Sequence, residues 1–117
     1  MKRGEVYWAN LAPRSGSEQT GRRPAIILSH DAFNQTSGWR SIIVIPVSTS
    51  AQRAKRGPTA IAIPAGTAGL PDDSIAICHQ ITTLDRTKLD DCLGTLPGNL
   101  LSRIEKGALA ALDISIQ

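Results

Sequence analysis

Short apolar runs, each ended by a turn that contains glycine or proline, constrain most strongly what this chain of 117 residues can fold into. The runs are rich in β-branched residues, which favour strands. Pro46 within the third run indicates that this strand ends at an edge or a bulge. Runs of this length and spacing predict a compact, partly closed β barrel. The predicted strands lie at 6–8, 24–29, 41–47, 59–63 and 74–81, with 82–84 continuing the fifth strand and a last short strand near 92–96.

The C-terminal part of the chain changes from a strand period to a helical one. From Leu100 onward, apolar residues recur every three or four positions and form one stripe. Pro97 fits the start of this helix, and Asn99 is an alternative cap. Gly107 inside the helix costs about 1 kcal/mol relative to alanine. Packing against the rest of the fold must therefore hold this helix in place.

A shorter helical turn is predicted at 30–35, with Ser29 or Asp31 as its cap. The sequence contains no internal repeat and no low-complexity linker. We therefore expect one domain over residues 1–117, mainly β with a C-terminal α-helix.

The net charge of +3 hides an asymmetry between the two halves of the chain. Residues 1–58 carry nine basic and three acidic side chains, whereas residues 59–117 carry four basic and seven acidic ones. The excess of positive charge lies in the loop before Pro24 and in the segment Arg53–Arg56. If these loops meet in space, they form a positive patch suited to a polyanion. The alternative is a pair of solvated basic loops.

Targeting signals and metal-binding patterns are not apparent in the sequence. No apolar run approaches the length that spans a bilayer, and no apolar segment follows the charged N-terminus. Cys78 and Cys92 lack the spacing of a metal site, so we expect structural thiols in a reducing compartment. The expectation is a cytoplasmic protein without a metal or cofactor.

The segment 16–24 contains one acidic residue and two arginines, and it ends at Pro24, the first residue of a predicted buried strand. Arg23 would be held at the rim of the scaffold, while Glu18 and Gln19 lie on a loop that could close over it. An anchored cation beside such a loop is typical of a phosphate-binding site. A surface loop with solvated charges is the alternative.

Several short blocks then occur in a characteristic order along the chain. They closely resemble the MazF/PemK toxin family, the endoribonuclease halves of toxin–antitoxin pairs, over residues 3–112. The blocks are Gly4-Glu5-Val6-Tyr7-Trp8, Gly16-Ser17-Glu18-Gln19, Arg23-Pro24-Ala25-Ile26-Ile27-Leu28-Ser29, Asn34, Val44-Ile45-Pro46, and Gln80-Ile81 with Leu84-Asp85.

The resemblance implies a CcdB/Kid-like toxin fold, which is a small SH3-like barrel with a C-terminal helix that pairs as a homodimer. It implies metal-independent, sequence-specific cleavage of single-stranded RNA. In that reaction a ribose 2′-OH attacks the neighbouring phosphorus and leaves 2′,3′-cyclic phosphate and 5′-OH ends. A cognate antitoxin would block the RNA site with an acidic, disordered segment.

Four catalytic residues follow from matching the family blocks. Arg23 would stabilise charge on the phosphoryl oxygens through its forked guanidinium, or it would instead pair structurally with Glu18. Ser48 and Thr49 both follow the Val-Ile-Pro strand, and the sequence does not decide which hydroxyl contacts the phosphate. Glu18 is a candidate general base, or it holds the shape of the loop.

Further residues are assigned to RNA binding by the resemblance and the charge pattern. His79 stands where many relatives carry aspartate, and it would either share acid–base work or stack on a base, or strand alternation with Gln80 would turn it away from the site. Ile77 stands where some relatives use arginine, so that acid–base scheme is not carried over. The predicted RNA-binding residues are Ser17, Gln19, Arg22, Arg53, Lys55, Arg56, His79 and Gln80.

Two other functions remain open from the sequence alone. One is a non-catalytic toxin on the same barrel that poisons DNA gyrase by binding. The other is a plain RNA-binding module, which would bind in a salt-sensitive way without forming a product.

Overall fold

The computed structural model describes residues 1–12, 15–16, 18–49 and 57–115. In this part of the chain, strands precede a C-terminal helix, as the sequence predicts, and short 3-10 turns connect some of the strands. The strands are β1 (Glu5–Asn10), β2 (Arg22–Ile27), β3 (Ser41–Ser48), β4 (Ala60–Ile63), β5 (Ser74–Ile77), β6 (Thr82–Asp85) and β7 (Leu89–Thr95). The helices are α1 (Asp31–Asn34) and α2 (Gly98–Ala111), and the 3-10 turns are Gly57–Thr59, Cys78–Gln80 and Arg86–Lys88.

The strands form one antiparallel sheet in the order β4-β5-β3-β2-β1-β7, with β6 also paired to β3. Within the described residues the two end strands, β4 and β7, do not pair with each other. The prediction of a mainly β protein with a C-terminal helix is confirmed, and the sheet stays open rather than forming a closed barrel.

Strand β3 is the centre of the sheet. One side pairs with β2, and the other side pairs first with β6 at residues 41–44 and then with β5 at residues 47–48. Ile45 and Pro46 lie between these two ladders, so the missing N–H of Pro46 falls near a gap in the pairing. The predicted break at Pro46 thus occurs inside a central strand, and the expectation of a sheet edge there is wrong.

The predicted fifth strand over residues 74–81 is also wrong in its extent. The strand ends at Ile77, and the 3-10 turn Cys78–Gln80 separates β5 from β6. Both strands pair with β3, so the turn spans the gap in the ladder between the residues of β3 that pair with β5 and those that pair with β6. Its residues therefore do not follow the two-residue alternation of a strand.

Apolar residues on both faces of β2 and β3 explain why these runs lack alternating polar residues. Ile26 and Ile45 belong to one buried cluster, which α2 covers through Leu100, Ile104 and Ala108. The opposite face contributes to a second cluster. The second cluster is formed by Ala9, Leu11, Ala25, Ile27, Ile42, Val44, Leu84 and Leu89.

The short helix α1 is held by a buried polar network. His30 is its N-cap, and its Nδ1 accepts a hydrogen bond from the Ala32 amide at 2.9 Å, which corrects the predicted caps. Buried Asn34 donates through Nδ2 to the Ser29 carbonyl at 2.7 Å and to Asp31 at 3.2 Å. No helix in the described residues is both long and apolar enough to cross a membrane.

Candidate active site

The sheet topology brings three separate parts of the sequence to one edge. Because β2 and β3 are antiparallel and Ala25 lies opposite Pro46, the start of β2 lies beside the end of β3. Ser48 in turn lies opposite Ile75, near the start of β5. Residues 22–24, 47–49 and 72–75 therefore converge, although up to 53 positions separate them in the chain.

At this edge lies a pocket of about 230 Å³. Its lining combines five apolar or aromatic residues with two arginines, two hydroxyl residues and one aspartate. A larger pocket of about 440 Å³ adjoins it and shares Thr49 and Ser74 with it. We call the first the arginine pocket and the two together the site groove. The arginine pocket is lined by Trp8, Arg22, Arg23, Pro24, Val47, Thr49, Leu70, Pro71, Asp72 and Ser74.

Arg23 is half-buried in the wall of the arginine pocket. Its Nε donates a hydrogen bond to the Thr20 carbonyl at 3.2 Å, which ties the guanidinium to the preceding loop. In the described part of the chain Arg23 forms no salt bridge, so the alternative of a structural pair with Glu18 is not realised. A guanidinium anchored through one nitrogen can still present its other N–H groups to a phosphate.

The two candidate hydroxyls occupy different environments. Ser48 is only 4% exposed and is the last residue of β3. Thr49 is exposed and lines both pockets of the site groove. The structure thus brings Thr49, rather than Ser48, into the pocket that contains Arg23.

Gln19 attaches the loop before β2 to the rest of the fold. This residue is only 6% exposed, and its backbone N–H donates to Oε1 of Gln80 at 2.7 Å. Glu18 is exposed and accepts a hydrogen bond from the Ser15 hydroxyl at 3.4 Å. Glu18 does not line either pocket of the site groove, so a role as general base requires the loop to move towards Arg23.

His79 and Gln80 lie in the 3-10 turn after β5 rather than in a strand. His79 is exposed and lines neither pocket of the site groove. The prediction that strand alternation places these two side chains on opposite faces is wrong, because both residues lie in a turn.

Arg22 is exposed and stacks on an aromatic ring. Its guanidinium carbon lies 4.4 Å from the centre of the Trp8 ring. Nη2 also lies 3.2 Å from a carboxylate oxygen of Asp90 and 3.7 Å from one of Asp91. Arg22 is therefore held in the lining of the arginine pocket by a cation–π contact and by two exposed ion pairs.

Three polar or aromatic residues of this pocket were not predicted from the sequence as site residues, namely Trp8, Asp72 and Ser74. Trp8 lies opposite Pro24 in the β1–β2 ladder, so the same ladder that places Arg23 also places this ring. Asp72 and Ser74 come from the turn before β5, which only the β3–β5 pairing brings to the site. The predicted residues Ser17, Arg53, Lys55 and Arg56 lie outside the described residues.

Among the described residues, histidine, cysteine, aspartate and glutamate form no group of three or more that could hold a metal ion. Burial raises the pKa of Cys78 to about 11. Its thiol packs under α2 and lies 3.5 Å from the Ile104 carbonyl. This cysteine is a neutral core residue and lies outside the site groove.

Comparison with known proteins decides the family. The family described as PemK-like, MazF-like toxin of type II toxin–antitoxin system matches residues 2–112. The chain belongs to this family. The family predicted from the short blocks is thereby confirmed.

Named relatives of this MazF-family protein cover nearly the whole chain. Endoribonuclease EndoA of Bacillus subtilis is 35% identical over 116 residues, which are 99% of this chain and 94% of that protein. Endoribonuclease MazF6 of Mycobacterium tuberculosis is 33% identical over 114 residues, which are 97% of this chain and 98% of that protein.

Solved structures of MazF proteins share the fold. The crystal structure of MazF (Form-I) from Deinococcus radiodurans has a TM-score of 0.80 at 28% identity and covers 97% of both chains. A MazE–MazF structure (Form-II) from the same organism has a TM-score of 0.73 at 26% identity and covers 98% of this chain and 97% of that chain.

Proposed function

We propose that this MazF-family toxin is a sequence-specific endoribonuclease that cleaves single-stranded RNA without a metal and thereby inhibits translation and growth. The observation that carries the proposal is that Arg23 and Thr49 line the same pocket. The relatives named as endoribonucleases support the choice of reaction.

RNA cleavage requires two proton transfers, the exchange of one bond at phosphorus for another, and neutralisation of charge on the phosphoryl oxygens. The ribose 2′-OH loses its proton and forms a bond to phosphorus, the bond from phosphorus to the 5′-oxygen breaks, and that oxygen gains a proton. Charge on the phosphoryl oxygens has to be neutralised meanwhile. Arg23 supplies forked N–H donors for these oxygens.

Thr49 is the proposed hydroxyl of this site. Its exposed side chain borders both pockets, so it can donate to a phosphoryl oxygen or orient the 2′-OH of a strand that runs along the groove. Glu18 stays the candidate base, since loop closure would bring its carboxylate towards the bound ribose.

Incubation of the protein with a long single-stranded RNA in EDTA tests the proposal. We expect fragments with 5′-OH and 2′,3′-cyclic phosphate ends. Arg23→Ala should lower the rate by about 10²–10³-fold, as is typical for loss of a group that stabilises transition-state charge, and Arg23→Lys should lie between, because an ammonium keeps the charge but loses the fork.

Paired hydroxyl variants complete this test. Thr49→Val should be strongly impaired, Thr49→Ser should retain activity, and Ser48→Ala should stay closer to the wild type than Thr49→Val. The reverse order of Ser48→Ala and Thr49→Val would assign the hydroxyl to Ser48. Intact RNA at high protein excess would argue for a gyrase-poison-like toxin, or for an RNA-binding module if salt-sensitive binding remains.

The assembly and the partners are further parts of the proposal. We propose a cytoplasmic homodimer whose RNA site is blocked by an acidic, disordered segment of a cognate antitoxin. Exposed apolar side chains, among them Phe33, Trp39 and Ile43, are candidates for the dimer contact. A monomer in sedimentation at micromolar concentration would contradict the dimer.

A further inference from the structure

The arginine pocket contains more than a phosphate site needs. A phosphate is bound by cations and N–H donors, yet half of the residues that line this pocket are apolar or aromatic, namely Trp8, Pro24, Val47, Leu70 and Pro71. Its volume of about 230 Å³ lies below the roughly 300–1,000 Å³ of pockets for drug-sized ligands. An apolar pocket of this size beside a phosphate-binding arginine suits a single flat base.

Asp72 is the acidic residue that lines this pocket. Its side chain is exposed, and within the described residues its carboxylate has no hydrogen bond or ion pair. The Ser74 hydroxyl donates to the backbone carbonyl of Asp72 at 2.8 Å, which fixes the turn that carries the carboxylate. A carboxylate beside bound RNA repels the phosphates. A favourable contact between the carboxylate and a base would offset this repulsion.

An ionised carboxylate only accepts hydrogen bonds. Cytosine, adenine and guanine each present an amino group on the edge that single-stranded readers contact, and carboxylates are known acceptors for such groups. Uracil presents two carbonyl oxygens on that edge with one N–H between them. Those oxygens would face the carboxylate oxygens and repel them, which is a form of selection against the wrong base.

We propose that the arginine pocket binds the base next to the cleaved phosphate and that Asp72 selects a base with an amino group over uracil. This inference rests on the proposed RNA cleavage. It assigns Asp72 to the choice of sequence, while Arg23 and Thr49 act on the phosphate.

The test compares cut ends from an RNA pool of random sequence for the wild type, Asp72→Asn and Asp72→Ala. For the wild type, we expect uracil to be depleted at one of the two positions that flank the cut. Asp72→Asn should raise the share of uracil at that position by roughly ten-fold, because an amide can donate to a carbonyl oxygen. Asp72→Ala should relax the preference, and the other positions of the motif should not change.

Asp113→Asn is the matched control, because it also removes one negative charge and lies beyond the end of α2, outside the site groove. It should leave the motif and the rate unchanged. Thermal melting of each variant verifies that it is folded.

Two results would overturn the inference. One is an unchanged base preference in a folded and active Asp72→Asn. The other is an equal loss of rate at every sequence, which would make Asp72 a catalytic or structural residue.

Failure of the proposed function gives a different pattern. If the wild type binds RNA but does not cut it, base preference is measured instead on the bound, uncleaved pool. Depletion of uracil there that is lost in Asp72→Asn would still support the inference. If the wild type binds no RNA, both proposals fail.

Discussion

Arg23 is oriented by a main-chain carbonyl rather than by a carboxylate. Its Nε donates to the carbonyl of Thr20, and the N–H of the preceding residue, Gln19, is bonded to Gln80. The side-chain amide of Gln80 therefore fixes the loop one residue away from the group that aligns the guanidinium. This connection makes Gln80 a positioning residue for the proposed reaction.

Loss of the Gln80 acceptor should misalign Arg23 without removing it. We expect Gln80→Met, which keeps the length but not the oxygen, to lower kcat about five- to ten-fold, the equivalent of one hydrogen bond, with KM for RNA little changed. Gln80→Glu keeps an acceptor and should have a kcat closer to the wild type. Initial rates of multiple-turnover cleavage against RNA concentration measure both parameters.

The exposed residue Gln35, at the end of α1, provides the control variant Gln35→Met. It should be indistinguishable from the wild type. A rise in KM with an unchanged kcat for Gln80→Met would instead indicate that Gln80 contacts RNA directly, as the resemblance implied.

At the residue scale the sequence predicted Arg23 and a hydroxyl at 48 or 49, because Arg23 lies in one family block and the hydroxyls closely follow another. It could not choose between the hydroxyls, since that choice depends on where β3 ends relative to β2. Asp72 was missed because no local pattern marks it, and Trp8 was missed because its family block identifies a strand without showing that the ring lines the pocket. They reach the pocket only through strand pairing.

At the scale of elements, helix α2 depends on a close approach that only glycine permits. A Cβ on Gly107 would lie 2.8 Å from Sγ of Cys78 and 3.1 Å from Cγ1 of Ile61. This explains why a residue that disfavours helices stands in the middle of one. The helix packs here against the turn that separates β5 from β6.

Gly107→Ala should destabilise the protein although alanine is the better helix former. The gain in helix propensity is about 1 kcal/mol, whereas overpacking costs about 1–3 kcal/mol. We expect a net loss of up to about 2 kcal/mol, measured as a lower midpoint in denaturant at constant m-value.

Gly98→Ala is the matched control, because it stands at the start of the same helix and no atom lies within 4 Å of its added Cβ. It should be neutral or slightly stabilising. Cys78→Ala in the Gly107→Ala background should recover part of the loss if Sγ is the obstacle. An unchanged or higher midpoint for Gly107→Ala alone would show that α2 can shift away from the turn.

The sequence predicted the elements better than their connections. The β-branched runs gave strands near the observed positions, and the helical stripe gave α2, since both follow from local periodicity. The turn at Cys78–Gln80 was missed because the surrounding run is apolar, and apolar runs do not reveal where one strand ends and another begins.

At the scale of the whole molecule, charges far apart in sequence join the ends of two neighbouring strands, β3 and β6. Asp85, at the end of β6, accepts hydrogen bonds from the N–H and hydroxyl of Thr87, and its carboxylate also pairs with Arg40 at 2.9 Å. Arg40 directly precedes β3, so this group closes the end of the β3–β6 ladder opposite the site groove.

This arrangement makes stability sensitive to acid. The Thr87 donors, and then Arg40, lower the pKa of Asp85 from 3.8 to about 2. Because the folded-state pKa lies below the ordinary value, the carboxylate stabilises the fold above pH of about 4. That contribution is lost as the pH falls towards 2. Asp31, whose pKa is lowered mainly by the Arg3 amide and then by Asn34, acts in the same direction.

Asp85→Asn should therefore reduce the loss of stability between pH 4 and pH 2, while it lowers stability at pH 7. Urea unfolding at a series of pH values measures this difference. Asp113→Asn should leave the pH dependence as it is in the wild type, and Thr87→Val should give an intermediate curve because it removes one of the donors to Asp85. Parallel curves for the wild type and Asp85→Asn across this range would show that the exposed group is screened by solvent and does not stabilise the end of the ladder.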